Sequence, residues 1–153
     1  MASELSTDLR AGAQGTHAGR TAAWLAKQVE LGLSDVELSL PQYRILWLLD
    51  YGPSMSSSLA ERLAVRPPSV TSVVDGLVAR GLVARSHSEG DRRQVSHVLT
   101  AAGRGALAAA DEAVDRRLAD IAGCLAAPAG RRALDALDLW QEAMLAHRAR
   151  SEP

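Results

Sequence analysis

Arg66 stands directly before Pro67 and Pro68, and Ser69, Thr71 and Ser72 follow at once. One guanidinium and three short hydroxyls, crowded at the start of an amphipathic stretch, can hydrogen-bond base edges and phosphates at close range. Further along, Arg85 and the run Asp91-Arg92-Arg93 supply more guanidinium groups, the side chain best suited to forked contacts with phosphate and guanine. From Ala60 to Arg104 seven arginines face four acids, a local surplus of +3 in a chain whose formal net charge is −1. The basic excess is thus confined to the segment that carries the hydroxyls, which is the charge pattern of a nucleic-acid surface.

These groups need elements to present them. Ser56-Ser57-Ser58-Leu59-Ala60-Glu61-Arg62-Leu63 reads as a short helix with Leu59 and Leu63 on one face and Ser56 as its cap. Pro67 and Pro68 fit a helix start, where their missing N–H groups would have been unpaired, so a second helix begins at about Pro67. On it Val70, Val73, Val74 and Leu77 form the buried stripe, which leaves Ser69, Thr71, Ser72, Asp75 and Arg80 off it. Gly81 closes that helix. Two alternating segments follow, Leu82 to Ser86 and Gln94 to Thr100, around the polar tip that holds Asp91, Arg92 and Arg93. Helix, tight turn, helix and hairpin is the order of a winged helix-turn-helix. The fold class expected is mainly α with a small β-hairpin wing: a winged helix-turn-helix lobe joined to a helical dimerisation lobe.

The rest of the chain divides around that lobe. Residues 1–15 read as a flexible N-terminal arm and 16–37 as a first dimerisation helix with its connection, the helix running from about Thr16 to Leu31. The winged lobe takes residues 38–100, opening on a helix that Ser39 and Gln42 can cap as a reciprocal pair. Residues 101–153 are C-terminal dimerisation helices. Leu107, Ala110, Val114, Leu118, Ile121 and Leu125 keep helical spacing from Ala101 to about Ala126. Ala127-Pro128-Ala129-Gly130 interrupts it, and a last helix runs from Arg131 to about Arg148 with Leu134, Leu137, Trp140, Met144 and Leu145. Neither C-terminal helix can bury its stripe alone, which suits an intertwined homodimer.

Leu59-Ala60-Glu61-Arg62-Leu63, Val70-Thr71, Val74-Asp75, Leu77, Gly81-Leu82-Val83-Ala84-Arg85, Asp91-Arg92-Arg93, Leu99-Thr100 and Gly103 together resemble the signature run of the MarR family of transcriptional regulators. Upstream the likeness extends through Leu38-Ser39-Leu40-Pro41-Gln42-Tyr43 and Ile45-Leu46, so it covers roughly Leu38 to Gly103. It departs at Arg66-Pro67-Pro68, where the family more often has a polar capping residue and no proline pair, which bears on base preference and not on fold. The resemblance implies a dimeric repressor of double-stranded DNA, released by a small aromatic or amphipathic effector. It also implies that Asp91 pairs with a nearby arginine to shape the wing tip, that Arg93 enters the groove and that Arg85 lies nearer the backbone.

In that reading Arg66, Pro67, Pro68, Ser69, Thr71, Ser72, Arg85, Asp91, Arg92 and Arg93 form the DNA-binding set. A dimer would then read an inverted-repeat operator, with half-sites about one helical turn, roughly 34 Å, apart. Trp24, Tyr43, Arg44 and Trp47, on the first two helices, are the candidate ligand-binding set, an apolar wall with a few polar groups.

Other chemistries find little support. Cys124 is the one cysteine, so no disulfide can form within the chain, and its neighbours Ile121 and Leu125 suggest a buried thiol packed as a small hydrophobe. His17, His87, His97 and His147 are scattered, with no metal-ligand spacing. No nucleophile elbow, phosphate loop or zinc-hydrolase helix is present, so neither an enzyme nor a cofactor is expected. No secretory signal or membrane-length apolar run is visible, and a cytoplasmic protein is expected. A winged-helix scaffold for protein–protein contact stays open as the alternative, because the fold alone does not decide between the two uses.

Overall fold

The three-dimensional structure, a computed structural model, describes residues 17–87 and 95–151. Within them lie six helices and three short strands. Helix α1 (Ala18–Ser34) runs along α5 (Ala101–Ala122), and α2 (Leu40–Asp50) lies beneath them. Helix α3 (Ser56–Leu63) and helix α4 (Pro67–Ala79) form the helix-turn-helix, flanked by strands β1 (Ser54–Met55), β2 (Val83–His87) and β3 (Val95–Leu99). Helix α6 (Ala127–Ser151) closes the described chain and packs on α5.

Local chemistry accounts for most element boundaries. Ser39 and Gln42 form the reciprocal cap of α2: the Gln42 N–H donates to Ser39 Oγ at 3.3 Å, and the Ser39 N–H to Gln42 Oε1 at 2.9 Å. Pro67 and Pro68 occupy the first turn of α4, as their type dictates. Between α3 and α4 the tight turn passes through Ala64 at φ 52°, and Gly81 at φ 70° ends the turn after α4. Thr100 caps α5 by accepting from the Gly103 N–H at 2.9 Å.

The core is aliphatic, as a chain without Phe requires. Ile45, Leu46, Leu48 and Leu49 make α2 the central helix, with Leu33 of α1, Leu59 of α3, and Val70, Val74 and Leu77 of α4 packed around it. Gly103 and Gly32 permit close approach. A Cβ on Gly103 would lie 2.0 Å from the Leu82 carbonyl oxygen, and one on Gly32 would lie 3.2 Å from Val114 Cα, where α1 meets α5.

Several expectations need correction. Helix α1 begins at Ala18 and continues to Ser34, beyond Leu31. Met55, not Ser56, is the N-cap residue of α3; Ser56 is its first helical residue, and its hydroxyl is engaged elsewhere. The wing is more than a hairpin, because β1 pairs with β3 and gives a three-stranded antiparallel sheet in the order β1-β3-β2. The break before the last helix falls earlier than expected: α5 ends at Ala122, not about Ala126, and α6 begins at Ala127, so Ala127 to Gly130 is its first turn, where proline is tolerated. Cys124 is exposed in the single chain, since it lies beyond the end of α5. The expected arm, residues 1–15, lies outside the described residues.

Candidate nucleic-acid interface

Helix α4 has two unlike faces. Val70, Val74 and Leu77 point into the core, while Arg66, Pro67, Pro68, Ser69, Thr71 and Ser72 are all exposed around its N-terminal turn. The buried stripe fixes the helix's rotation about its axis, so the exposed polar face is presented in one orientation.

The proline pair changes what that turn can offer. Most helix starts present several free backbone N–H groups to an anion. Here the first two helical residues have none, and the Ser69 N–H is turned back to the Arg66 carbonyl at 3.1 Å. Arg66 sits at the N-cap position in extended conformation (φ −71°, ψ 139°) and makes no side-chain cap bond. What this end offers a ligand is therefore side chains: the Arg66 guanidinium and the three hydroxyls. Of these, Thr71 Oγ1 donates back to the Pro67 carbonyl at 3.2 Å, which leaves its oxygen free to accept.

Arg85 is held by a neighbouring helix. Its Nη2 lies 2.5 Å from Asp75 Oδ1, an ion pair that ties β2 to α4 with both side chains about half exposed. The charge of Arg85 is shared with a carboxylate on the neighbouring helix. Asp91, Arg92 and Arg93 lie outside the described residues. Arg80, at the other end of α4, donates to the Glu37 carbonyl at 2.9 Å and braces the helix from behind.

Sequence reasoning missed a polar group beneath this surface. His97 on β3 is 5% exposed, and its Nε2 lies 2.9 Å from Ser56 Oγ. The alternation in Val95-Ser96-His97-Val98-Leu99 was the available signal, because it puts His97 on the inward face with Leu99. Burial, then the nearby Arg85 charge, hold its imidazole below the ordinary range, and Asp75 opposes them.

The four candidate ligand residues make separate contacts in the single chain. Tyr43 Oη donates to Asp111 Oδ1 at 2.6 Å, joining α2 to α5. Desolvation first, then that bond and the charges of Asp111 and Asp115, push the Tyr43 phenol well above its ordinary range. Trp47 packs edge-on against Tyr51, with ring centroids 5.8 Å apart and planes at 82°. Arg44 is exposed, and so is Trp24 at 73%. A cavity of about 310 Å³ between α1 and α5 is lined by other residues: Leu31, Gly32, Asp35, Ala113, Arg116, Arg117 and Asp120. Beside it, Arg117 Nε and Nη2 both donate to Gln28 Oε1, at 3.0 and 2.7 Å. Among the described residues no three His, Cys, Asp or Glu side chains gather as a metal site would require. No described helix is long and apolar enough to cross a membrane.

Comparison with known proteins agrees with this architecture. The family model described as MarR family matches residues 38–95. An HTH-type transcriptional repressor of Mycobacterium tuberculosis, Rv2887, is 39% identical over 98 residues, which are 63% of this chain and 70% of that protein. An uncharacterized HTH-type transcriptional regulator of Bacillus subtilis, YfiV, is 40% identical over 76 residues, 45% of this chain and about half, 48%, of its own length. Among solved structures, the transcriptional repressor CouR bound to a 23-mer DNA duplex aligns with a TM-score of 0.69 at 31% identity, over 88% of this chain and 92% of that one. Rv2887 in complex with salicylic acid aligns with a TM-score of 0.66 at 29% identity, over 86% and 98%.

Proposed function

We propose, on the ground that this chain belongs to the MarR family, that it is a homodimeric, sequence-specific DNA-binding transcriptional regulator. It represses at an inverted-repeat operator and is released by a small aromatic or amphipathic molecule. The observation that carries this reading is the exposed N-terminal face of α4, with Arg66, Ser69, Thr71 and Ser72 opposite the buried Val70, Val74 and Leu77.

The roles divide by chemistry. Arg66 and the three hydroxyls meet base edges and adjacent phosphates in the major groove, and Pro67 and Pro68 stiffen the approach. Arg92 and Arg93 enter a flanking minor groove, whose negative potential favours arginine, while Asp91 shapes the tip that carries them. Arg85, paired to Asp75, orients β2 against α4 and lends charge near the DNA backbone. Two chains associate through α1, α5 and α6. Trp24, Trp140, Met144 and Leu139 are each more than 60% exposed in the single chain, an apolar surface that a second copy would cover.

The solved relatives that hold DNA and salicylic acid support the operator and effector parts of the reading. The effector enters the crevice between the two lobes, near Tyr43, Arg44 and the tryptophans Trp24 and Trp47. The protein works in the cytoplasm, where its DNA is. Selection of bound sites from a random duplex library tests the account. Enrichment of a palindrome with half-sites about 34 Å apart is the expected result. No enriched site would instead favour a protein-contact role for the winged lobe.

A further inference from the structure

Among the described residues, His97 is the one polar or charged residue that is buried. It sits on β3, the central strand of the wing sheet, opposite Ser54 of β1 on one side and Arg85 of β2 on the other. Its Nε2 meets Ser56 Oγ, on the first residue of α3, at 2.9 Å. Its Nδ1 is buried and has no partner among the described residues. One side-chain contact thus joins the middle of the wing sheet to the start of the helix-turn-helix.

We propose that His97 is a proton-sensitive positioning residue: neutral, it docks the wing sheet on α3; charged, it loosens that contact and weakens DNA binding. This inference rests on the DNA-binding reading above. The chemistry is asymmetric. A doubly protonated ring always carries an N–H at Nδ1, and that donor would be buried with no acceptor among the described residues.

The surroundings disfavour the charged ring for separate reasons. Burial removes its hydration, and the Arg85 guanidinium opposite it is a like charge, partly offset by Asp75 of α4. Ser56 opens α3, so the positive end of that helix also faces the ring. From the other elements packed on β3 there is little compensation. Helix α2 contributes buried Ile45, Leu46, Leu48 and Leu49, and Arg104 of α5 is engaged with the Leu99 carbonyl at the strand's far end. Acidification therefore adds a proton at buried, partnerless Nδ1; the ring shifts to hydrate it, the Ser56 contact loosens with that shift, and α3 transmits the loss to α4, against which it packs.

The test follows the full chain by NMR from about pH 8 to about pH 5, the range over which imidazoles titrate, alongside affinity for its selected duplex. The His97 signals are assigned by their absence in His97→Gln. The expected result is a His97 ring that titrates below the ordinary imidazole range, with the Met55 and Ser56 amides shifting in step. Affinity should fall about tenfold beyond the loss seen in His97→Gln, whose amide can still bond Ser56 but cannot charge. Equal pH slopes in the two proteins would overturn the proposal. Should His97→Gln not fold, Ser56→Ala replaces it and should lose most of the acid-dependent drop, its contact being already broken; an undiminished drop contradicts us. If no duplex is selected, the DNA reading fails by itself, and Met55 and Ser56 amides indifferent to His97 titration would still overturn the docking role.

Discussion

Asp75 on α4 and Arg85 on β2 form an ion pair with an N–O separation of 2.5 Å across the outer surface of the winged lobe. The pair fixes the base of the wing relative to the helix whose N-terminal face we assign to base recognition. Both side chains are about half exposed, so solvent and salt screen their attraction. Its contribution to stability is expected to stay below about 1 kcal/mol. A double-mutant cycle with Asp75→Ala and Arg85→Ala, read by thermal unfolding, checks this. A coupling energy above about 2 kcal/mol would show that the pair is a stability element and not an orienting one.

Gly103 is expected to be intolerant of a side chain. A Cβ there would lie 2.0 Å from the Leu82 carbonyl oxygen, a backbone atom that can yield only by moving the turn after α4. Gly103→Ala should destabilise the fold by about 3 kcal/mol. Gly105, two residues on in the same helix, has open space around it, with nothing within 4 Å of where a Cβ would stand. Gly105→Ala should therefore stabilise by roughly 0.5–1 kcal/mol. Equal behaviour of the two variants in denaturant titration would refute the close approach.

Tyr43 links α2 to α5 through Asp111 at 2.6 Å, and its phenol is held well above the ordinary range. The unfolded chain loses that proton first as pH rises past about 10, so the folded state binds more protons there. Stability should decline with increasing alkalinity from that point, and Tyr43→Phe should remove this part of the decline. At neutral pH the variant should cost about 1 kcal/mol for the lost hydrogen bond. Unfolding midpoints measured across the alkaline range would decide, and parallel pH profiles for the two proteins would count against the assignment.

Arg66 makes no side-chain cap bond, and Pro68 supplies no backbone donor. Arg66→Ala should leave thermal stability nearly unchanged, yet alter the preferred site in selections from random duplexes. Pro68→Ala should change base preference less. A larger change from Pro68→Ala would mean that the prolines, and not the guanidinium, set the contacts.

The features legible in the sequence are those fixed within a few residues. The Ser39–Gln42 cap, the start of α4 at Pro67 and its stripe of Val70, Val73, Val74 and Leu77 all depend on local spacing; the structure has the cap and the start, and buries the stripe except for Val73, which is half-buried. What local spacing does not reveal depends on distant partners. Strand β1 is two residues long and exists because Ser54 and Met55 meet His97 and Ser96. Ser56 has the residue type of a cap, but His97, 41 positions away, engages its hydroxyl. Pro128 marks a helix boundary, yet the same residue type that ends a helix also begins one, and here it begins α6. Arg85 is recognisable as a wing residue, but not as the partner of Asp75, because that pairing follows from how β2 crosses α4. Of the candidate ligand set, Tyr43 has a partner beyond local spacing, since it bonds Asp111, 68 positions away, whereas Trp47 meets the nearby Tyr51 ring.

The central claim, that the exposed face of α4 and the arginines of the wing bind operator DNA, is tested most directly by the salt dependence of affinity for the selected duplex. Each phosphate neutralised contributes about −0.9 to the slope of log affinity against log salt. We expect a steep linear loss as salt rises, with two chains bound per palindrome and a shallower slope for Arg66→Ala. Affinity indifferent to salt would contradict the account and turn attention to protein partners of the winged lobe.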